Sequence, residues 1–325
     1  MFFLKPTIFK YVILNYKNYT KYCNKNIKKR KITKDKWDKM LKDYALKVLK
    51  KSLEYDVGFG DLTTESIIPN NTIVEGFIEA KETCIVCGID FIVEFFENYG
   101  VKCEKLVEDG DEAFGKILKI KGDAKTILIL ERTALNLIMH LSGIATTTNR
   151  IVKKVKEVNK NVKIACTRKT LPMLSPLQKY AVVIGGGDPH RFRLDDCILI
   201  KDNHISVVGL KEAIKKAREN VSFTKKIEVE VSNFKELREA LEEKVDIIML
   251  DNFKPDEIKK ALEIINEFEI KNKFRPIIEV SGGITEENIL NYAVNNVDVI
   301  SLGSLTHSVR SVDMSLTLET SKNKK

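Results

Sequence analysis

From residue 162 onward, short apolar runs alternate with stretches of helical period. Strand-type runs cover 162–166, 197–200, 227–231, 246–250, 277–280 and 298–302. Helical spacing covers 176–184, 208–219, 234–243, 255–268 and 286–295, between most of them. Repeated strand–helix units predict parallel strands joined by right-handed crossovers. Residues 37–149 have another texture. An amphipathic helix is predicted from Trp37 to Tyr55, strands at 72–80, 83–87, 101–107 and 115–121, a helix at 91–99 and a long helix over 125–149. That mixture predicts an α+β domain ahead of the alternating one. Residues 1–36 hold neither period for long, which predicts a basic tail or a start upstream of the folded chain.

The groups that follow the six parallel strands decide between two architectures. In order they are Arg168-Lys169, Lys201 to His204, Glu230, Asp251-Asn252, Ser281 to Gly283 and Gly303-Ser304. A doubly wound sheet concentrates chemistry at one switch point, whereas a (β/α) barrel gathers it from many strand ends on one rim. Polar groups after all six strands predict a TIM-like α/β barrel at 150–307, whole or incomplete, preceded by the domain at 37–149.

Charge changes this picture little. The formal charge is +9, but Met1 to Lys39 hold twelve Lys or Arg against two Asp, so the folded body is close to neutral. No nucleic-acid partner is expected from such a body, although a basic arm could touch RNA. Cys84 and Cys87 have metal-type spacing but lack a second pair and sit in an apolar run, so they read as buried core residues. This usage fits a reducing, cytoplasmic setting. Apolar runs shorter than a membrane span predict no membrane association.

Candidate chemistry collects between 167 and 205. Arg168, Lys169, His190, Arg191 and Lys201 flank a triple glycine, Gly185 to Gly187. Arginine forks match carboxylates and phosphates, and lysine adds a mobile point charge. Glu230 and Asp251 end neighbouring strands and could hold Mg²⁺ or accept from sugar hydroxyls, or pair with the lysines. Ser281-Gly282-Gly283 and Gly303-Ser304 offer backbone amides to a phosphate, although tight turns want glycine too. Together they predict a pocket for a phosphorylated sugar and a second anion. A phosphosugar lyase or aldolase using Lys201 as a Schiff-base amine is the competing reading.

These motifs resemble the quinolinate phosphoribosyltransferase family. The matching pieces are GFGDLTT at 58–64, ERTALNLIMHLSGIAT at 131–146, TRKT at 167–170, KYAVVIGGG at 179–187, HR at 190–191 and IKDNHI at 200–205. EVEV at 228–231, IIMLDNF at 247–253, EVSGGIT at 279–285 and DVISLGSLTH at 298–307 complete them. The resemblance implies an N-terminal α/β sandwich joined by a C-terminal helix at 308–325, and an open barrel. It implies phosphoribosyl transfer from phosphoribosyl pyrophosphate to quinolinate, with decarboxylation, as a step of NAD synthesis. It further implies catalysis by Lys169, Lys201, Glu230 and Asp251, with Mg²⁺ on Glu230 and Asp251. Quinolinate would be held by Thr167, Arg168, His190, Arg191 and Lys201, with Arg132 supplied by the partner in a dimer or dimer-based hexamer. The 5′-phosphate would take Ser281, Gly282, Gly283, Gly303 and Ser304. The chain departs from the family at Arg193, where glycine is usual. Pro189 is shared with a related molybdenum-transport-associated group, but IKDNHI, LDNF and EVSGG favour the quinolinate enzyme.

Overall fold

Val74, Ile78 and Ala80 alternate with exposed or half-exposed neighbours along β1 (Ile73–Ile85), so one face of the strand is buried and the other meets water. The computed structural model describes residues 31–319, with side chains from residue 39 onward. Two units separate: Thr147–Val309, and the described residues through Thr146 together with those from Arg310.

In the first unit β1 centres an antiparallel sheet with β2 (Lys102–Lys105), β3 (Glu112–Asp123) and a strand at Met314–Glu319 (β10 below), in the order β10-β1-β3-β2. The two strands expected at 72–80 and 83–87 are one, with a register shift between Ala80 and Cys84. Helix α1 (Lys31–Val57) begins six residues before Trp37, so the expected boundary of the tail at residue 36 falls inside it; residues 1–30 of that tail lie outside the described residues. α2 (Leu62–Ile67) is capped by Asp61, and α3 (Ile89–Glu97) buries Ile89, Phe91, Ile92, Phe95 and Phe96. Cys84 and Cys87 are buried thiols; burial pushes Cys84 up to about 11 and Cys87 well above the ordinary thiol range. Protonated thiols of this kind are core, not ligands.

The C-terminal segment corrects one expectation. No helix forms over the described part of 308–325; Met314–Glu319 is a strand whose register runs from Glu75↔Glu319 to Ala80↔Met314. MSLTLE has strict period two, which suits the open edge of β1 and could not present one face as a helix. The approach to it runs along α4 (Ala124–Lys156): the Val312 amide donates to the Met139 carbonyl, and a Cβ on Gly143 would lie 2.3 Å from the Arg310 carbonyl oxygen. α4 is also long and apolar enough to cross a membrane, contrary to the sequence expectation that no segment is. Its apolar stripe, including Leu130, Ala134, Ile138, Leu141 and Ile144, is buried in the protein. It is a core helix.

The second unit is a six-stranded parallel sheet: β4 (Lys163–Cys166), β5 (Ile198–Ile200), β6 (Ile227–Val231), β7 (Ile247–Asp251), β8 (Ile277–Ser281) and β9 (Val299–Leu302), in the order β4-β9-β8-β7-β6-β5. The first strand pairs with the last, as in a barrel, yet β4 and β5 do not pair. Between them, beside β4, runs a single bridge, Ala165↔Asp188. Its neighbours Gly187 and Pro189 cannot extend a ladder, because proline has no N–H to give. The barrel is therefore open on that side. α5 (Ser175–Ile184) precedes the gap. After an unexpected short helix α6 (Asp202–Val208) and Gly209 (φ 79°), the helix expected at 208–219 forms as α7 (Leu210–Asn220). α8 (Phe234–Glu242) and α9 (Pro255–Asn272) follow their strands, but the helix expected at 286–295 is only a 3₁₀ turn at Ile289–Asn291. α10 (Ser304–His307) closes the unit.

Candidate active site

Every barrel strand delivers its polar group at its C-terminal end, and period-two alternation sorts the rest. On β6, Ile227, Val229 and Val231 face the helices while Glu228 and Glu230 face inward; on β8, Glu279 and Ser281 do the same. The inward groups line a cavity of about 720 Å³.

The cavity gathers thirteen of the residues singled out in the sequence: Thr167, Arg168 and Lys169 after β4, His190 and Arg191 from the gap, Lys201 after β5, Glu230, Asp251, Ser281, Gly282 and Gly283, and Gly303 and Ser304 after β9. Arg132 does not line it. It lies in the other unit, its side chain 59% exposed and 3.9 Å from Glu131. Glu131 and Arg132 stand on the wetter side of α4. Arg193 is outside the cavity as well, 3.7 Å from Asp195, and its φ is ordinary, so nothing there demands the family's glycine.

The cations crowd together. Burial, then the neighbouring Arg168, pull Arg191 below the ordinary arginine range. Arg191 Nη1 donates to the Cys197 carbonyl (3.1 Å), which holds the guanidinium in place. Two guanidinium groups this close are an anion site. Lys201 Nζ donates to Glu230 at 2.9 Å. Burial, then Glu230, raise Asp251 above the usual carboxylate range, and Asn252 Nδ2 donates to Asp251 (2.6 Å). Glu230 and Asp251 line the cavity with carboxylate oxygens, the donor type a hard cation takes. Gly282 has φ 91°, and a Cβ on it would stand 2.3 Å from Asn252 Oδ1, so only glycine lets this loop lie against the acid pair.

Beneath the rim is a group that sequence reasoning missed. Glu228 (1% exposed) and Glu279 (3% exposed) reach inward from the strands on either side of β7, and both approach His190. His190 Nε2 lies 3.1 Å from Glu279 and 3.6 Å from Glu228. His190 has a left-handed backbone (φ 52°), steadied by its amide donating to Asp188 Oδ1 (2.9 Å), which turns the ring inward. Burial works against a charge on His190, but Glu279 and Glu228 outweigh it and hold the imidazole well above its ordinary range. The Arg191 amide, 2.7 Å from Nδ1, favours the neutral ring. Two carboxylates within 3.6 Å therefore act on the ring against one backbone dipole, and the net direction is upward. The three ligand atoms lie within 4.8 Å of one another, a spacing a metal could use, and His190 Nε2 is within hydrogen-bond distance of Glu279. Glu228 stands two residues before Glu230 and Glu279 two before Ser281, and that shared strand face was the available signal.

The chain's N-terminal part matches the family model "Quinolinate phosphoribosyl transferase, N-terminal domain" over residues 61–142, and the rest matches its "C-terminal domain" over 144–317. A probable nicotinate-nucleotide pyrophosphorylase (carboxylating) of Methanocaldococcus jannaschii is 78% identical over 277 residues, 85% of this chain and 98% of the relative. The corresponding protein of Methanothermobacter thermautotrophicus is 43% identical over 272 residues, 83% of this chain and 97% of its own. Among solved structures, the nicotinate-nucleotide pyrophosphorylase of Ehrlichia chaffeensis superposes with a TM-score of 0.78 at 39% identity, covering 84% of this chain and 98% of that one.

Proposed function

This chain belongs to the quinolinate phosphoribosyltransferase family, and from that premise we propose how its barrel rim divides the work of the reaction. The enzyme transfers phosphoribose from phosphoribosyl pyrophosphate to the ring nitrogen of quinolinate, releasing pyrophosphate and CO2 and leaving nicotinate mononucleotide, a step of NAD synthesis. The observation that carries the assignment of roles is one cavity that brings guanidinium, imidazole and ammonium groups together with an acid pair and glycine loops.

Arg168, Arg191, His190 and Lys201 hold the two carboxylates of the pyridine ring, with Thr167 beside them. The forks fix the ring in its plane, and His190 adds a charge from below. Glu230 and Asp251 accept from the ribose hydroxyls. Their oxygen set fits Mg²⁺, which when bound would neutralise charge on the pyrophosphate. Lys169 stabilises the same leaving group as the C1′–O bond breaks and positive charge builds on the ribose. The glycine turns at Ser281 to Gly283 and at Gly303-Ser304 receive the 5′-phosphate. Once nitrogen has bonded to C1′ the ring is cationic, and the C2 carboxylate leaves as CO2 while its electron pair stays at C2 beside that charge and takes a proton. Lys201 is engaged by Glu230 and is not a free amine, so nothing favours the lyase reading.

Arg132 is exposed and lies in the unit that does not form the cavity. We assign it to the pocket of a second copy, which makes the working enzyme a dimer or a dimer-based assembly. Mixing inactive Arg132→Ala and Lys201→Ala chains should restore activity if subunits exchange, since one site of each mixed dimer escapes both lesions; exchange without recovery would sink the shared site. The primary assay is release of CO2 and pyrophosphate from quinolinate, phosphoribosyl pyrophosphate and Mg²⁺. An enzyme that releases pyrophosphate without CO2 would contradict the acceptor assignment.

A further inference from the structure

Two consecutive polar residues of α5, Gln178 and Lys179, are fully buried, at 0% exposure each. Neither lines the cavity. Lys179 is the more costly of the two, since an ammonium gives up its whole hydration shell when it enters a core. Its three neighbours are two carbonyls and a thiol, none of them a carboxylate: Nζ donates to the Pro189 carbonyl (2.5 Å), the Thr167 carbonyl (3.2 Å) and Cys166 Sγ (3.6 Å). Three acceptors in three directions match the three protons of an ammonium. Burial draws its proton affinity down, and Cys166 and Asp188 push it back.

The identity of those acceptors is informative. Thr167 immediately precedes Arg168, and Pro189 immediately precedes His190. The chain is open between β4 and β5 here, so no strand ladder ties these two segments beyond the single bridge at Ala165 and Asp188. Gln178 does the matching task for two other segments. Its Oε1 accepts from the Leu171 amide (2.9 Å) and its Nε2 donates to the Thr306 carbonyl (2.9 Å), while Thr306 Oγ1 donates to the Lys169 carbonyl (2.8 Å).

We propose that Gln178 and Lys179 are positioning residues, a buried pair that substitutes for the missing strand pairing and fixes the spacing of the Arg168 and His190–Arg191 segments to fit a pyridine dicarboxylate. The proposal rests on the quinolinate reading of the pocket. Lys179 sets the distance between the two cationic segments, and Gln178 sets the loop after β4 against the loop after β9.

The test compares Lys179→Met, which keeps the length and burial but removes all three donors, with Lys179→Gln, which restores an uncharged donor, and with Gln178→Met. Quinolinate binding is measured by calorimetry and KM is measured for both substrates, on chains whose folding is checked by thermal melting. Displacing an anion clamp by a fraction of an ångström should raise the quinolinate Kd and KM by roughly 10- to 100-fold. The KM for phosphoribosyl pyrophosphate should move far less, and Lys179→Gln should recover part of the loss. If Lys179→Met does not fold, Gln178→Met carries the same test on the loop after β4. Unchanged quinolinate binding in a folded variant would overturn the proposal, and so would equal losses for both substrates that track the folded fraction alone. A wild-type chain that fails to bind quinolinate would instead overturn the reading beneath it.

Discussion

Glu228 and Glu230 sit two residues apart on β6, point into the same barrel and meet opposite surroundings. Glu230 reaches the cavity and accepts from a half-exposed Lys201. Glu228 is sealed beneath it, shares His190 with Glu279, and is raised above the usual carboxylate range, first by its burial. One turn of the pleat separates a group that can exchange its partner for substrate from a group that cannot. The upper tier is built for ligand exchange, where ion pairs are worth little because water competes. The lower tier holds a fixed charge, where a lost partner is expensive. The comparison teaches that the proton affinity of His190, which lines the pocket, is set partly from below, by Glu228 and Glu279.

The largest effect should come from breaking the lower tier. Glu279→Ala leaves an imidazolium short of a buried counter-charge, a loss of about 3–5 kcal/mol by the usual cost of an orphaned buried ion, readable in urea unfolding. A loss under about 1 kcal/mol would mean His190 is neutral there. In the upper tier, Glu230→Gln or Asp251→Asn should cost roughly 100-fold in kcat/KM for phosphoribosyl pyrophosphate while unfolding is nearly unchanged. If instead stability collapses, the two tiers are not distinct.

A smaller effect, roughly tenfold in quinolinate KM from one lost charge-assisted hydrogen bond, is expected for Arg168→Lys, because a point charge cannot replace a planar fork. Unaltered KM would remove the bidentate role. The pH dependence should sharpen the contrast further. His190 is raised in the folded protein, so its charge is complete below about pH 6.5 and is lost only as pH climbs through the raised value. Glu279→Gln removes the larger of the two charges that raise it, so the rise in quinolinate KM with alkaline pH should begin earlier than in the wild type. Coincident profiles would count against the imidazolium. The smallest effect is expected outside both tiers: the M. jannaschii relative matches over 85% of this chain while nearly all of that relative is covered, and a chain beginning at Lys31 should keep full activity and melting temperature.

Much of this was legible because it is local. A short apolar run that ends in Arg168-Lys169, Lys201 or Asp251 announces a parallel strand and what it carries to the rim, since strand direction and side-chain alternation are properties of a few consecutive residues. The six strands and the cation set could therefore be read directly, and the motif resemblance added the reaction. Other features depend on contacts between distant residues. MSLTLE becomes a strand because β1 has an edge for it, and no local signal says that this edge is free. Arg132 is exposed because of how α4 is rotated in its unit, although its flanking sequence is apolar. Glu228 and Glu279 become partners only because β6 and β8 both face His190 across a closed interior, and Lys179 becomes a strut only because the barrel is open where it lies. The sequence determined which side chains each strand carries, since that follows from the pleat. Burial and counter-charge, which decide what each of them does, are set by groups far away in the chain and arise only when the barrel forms.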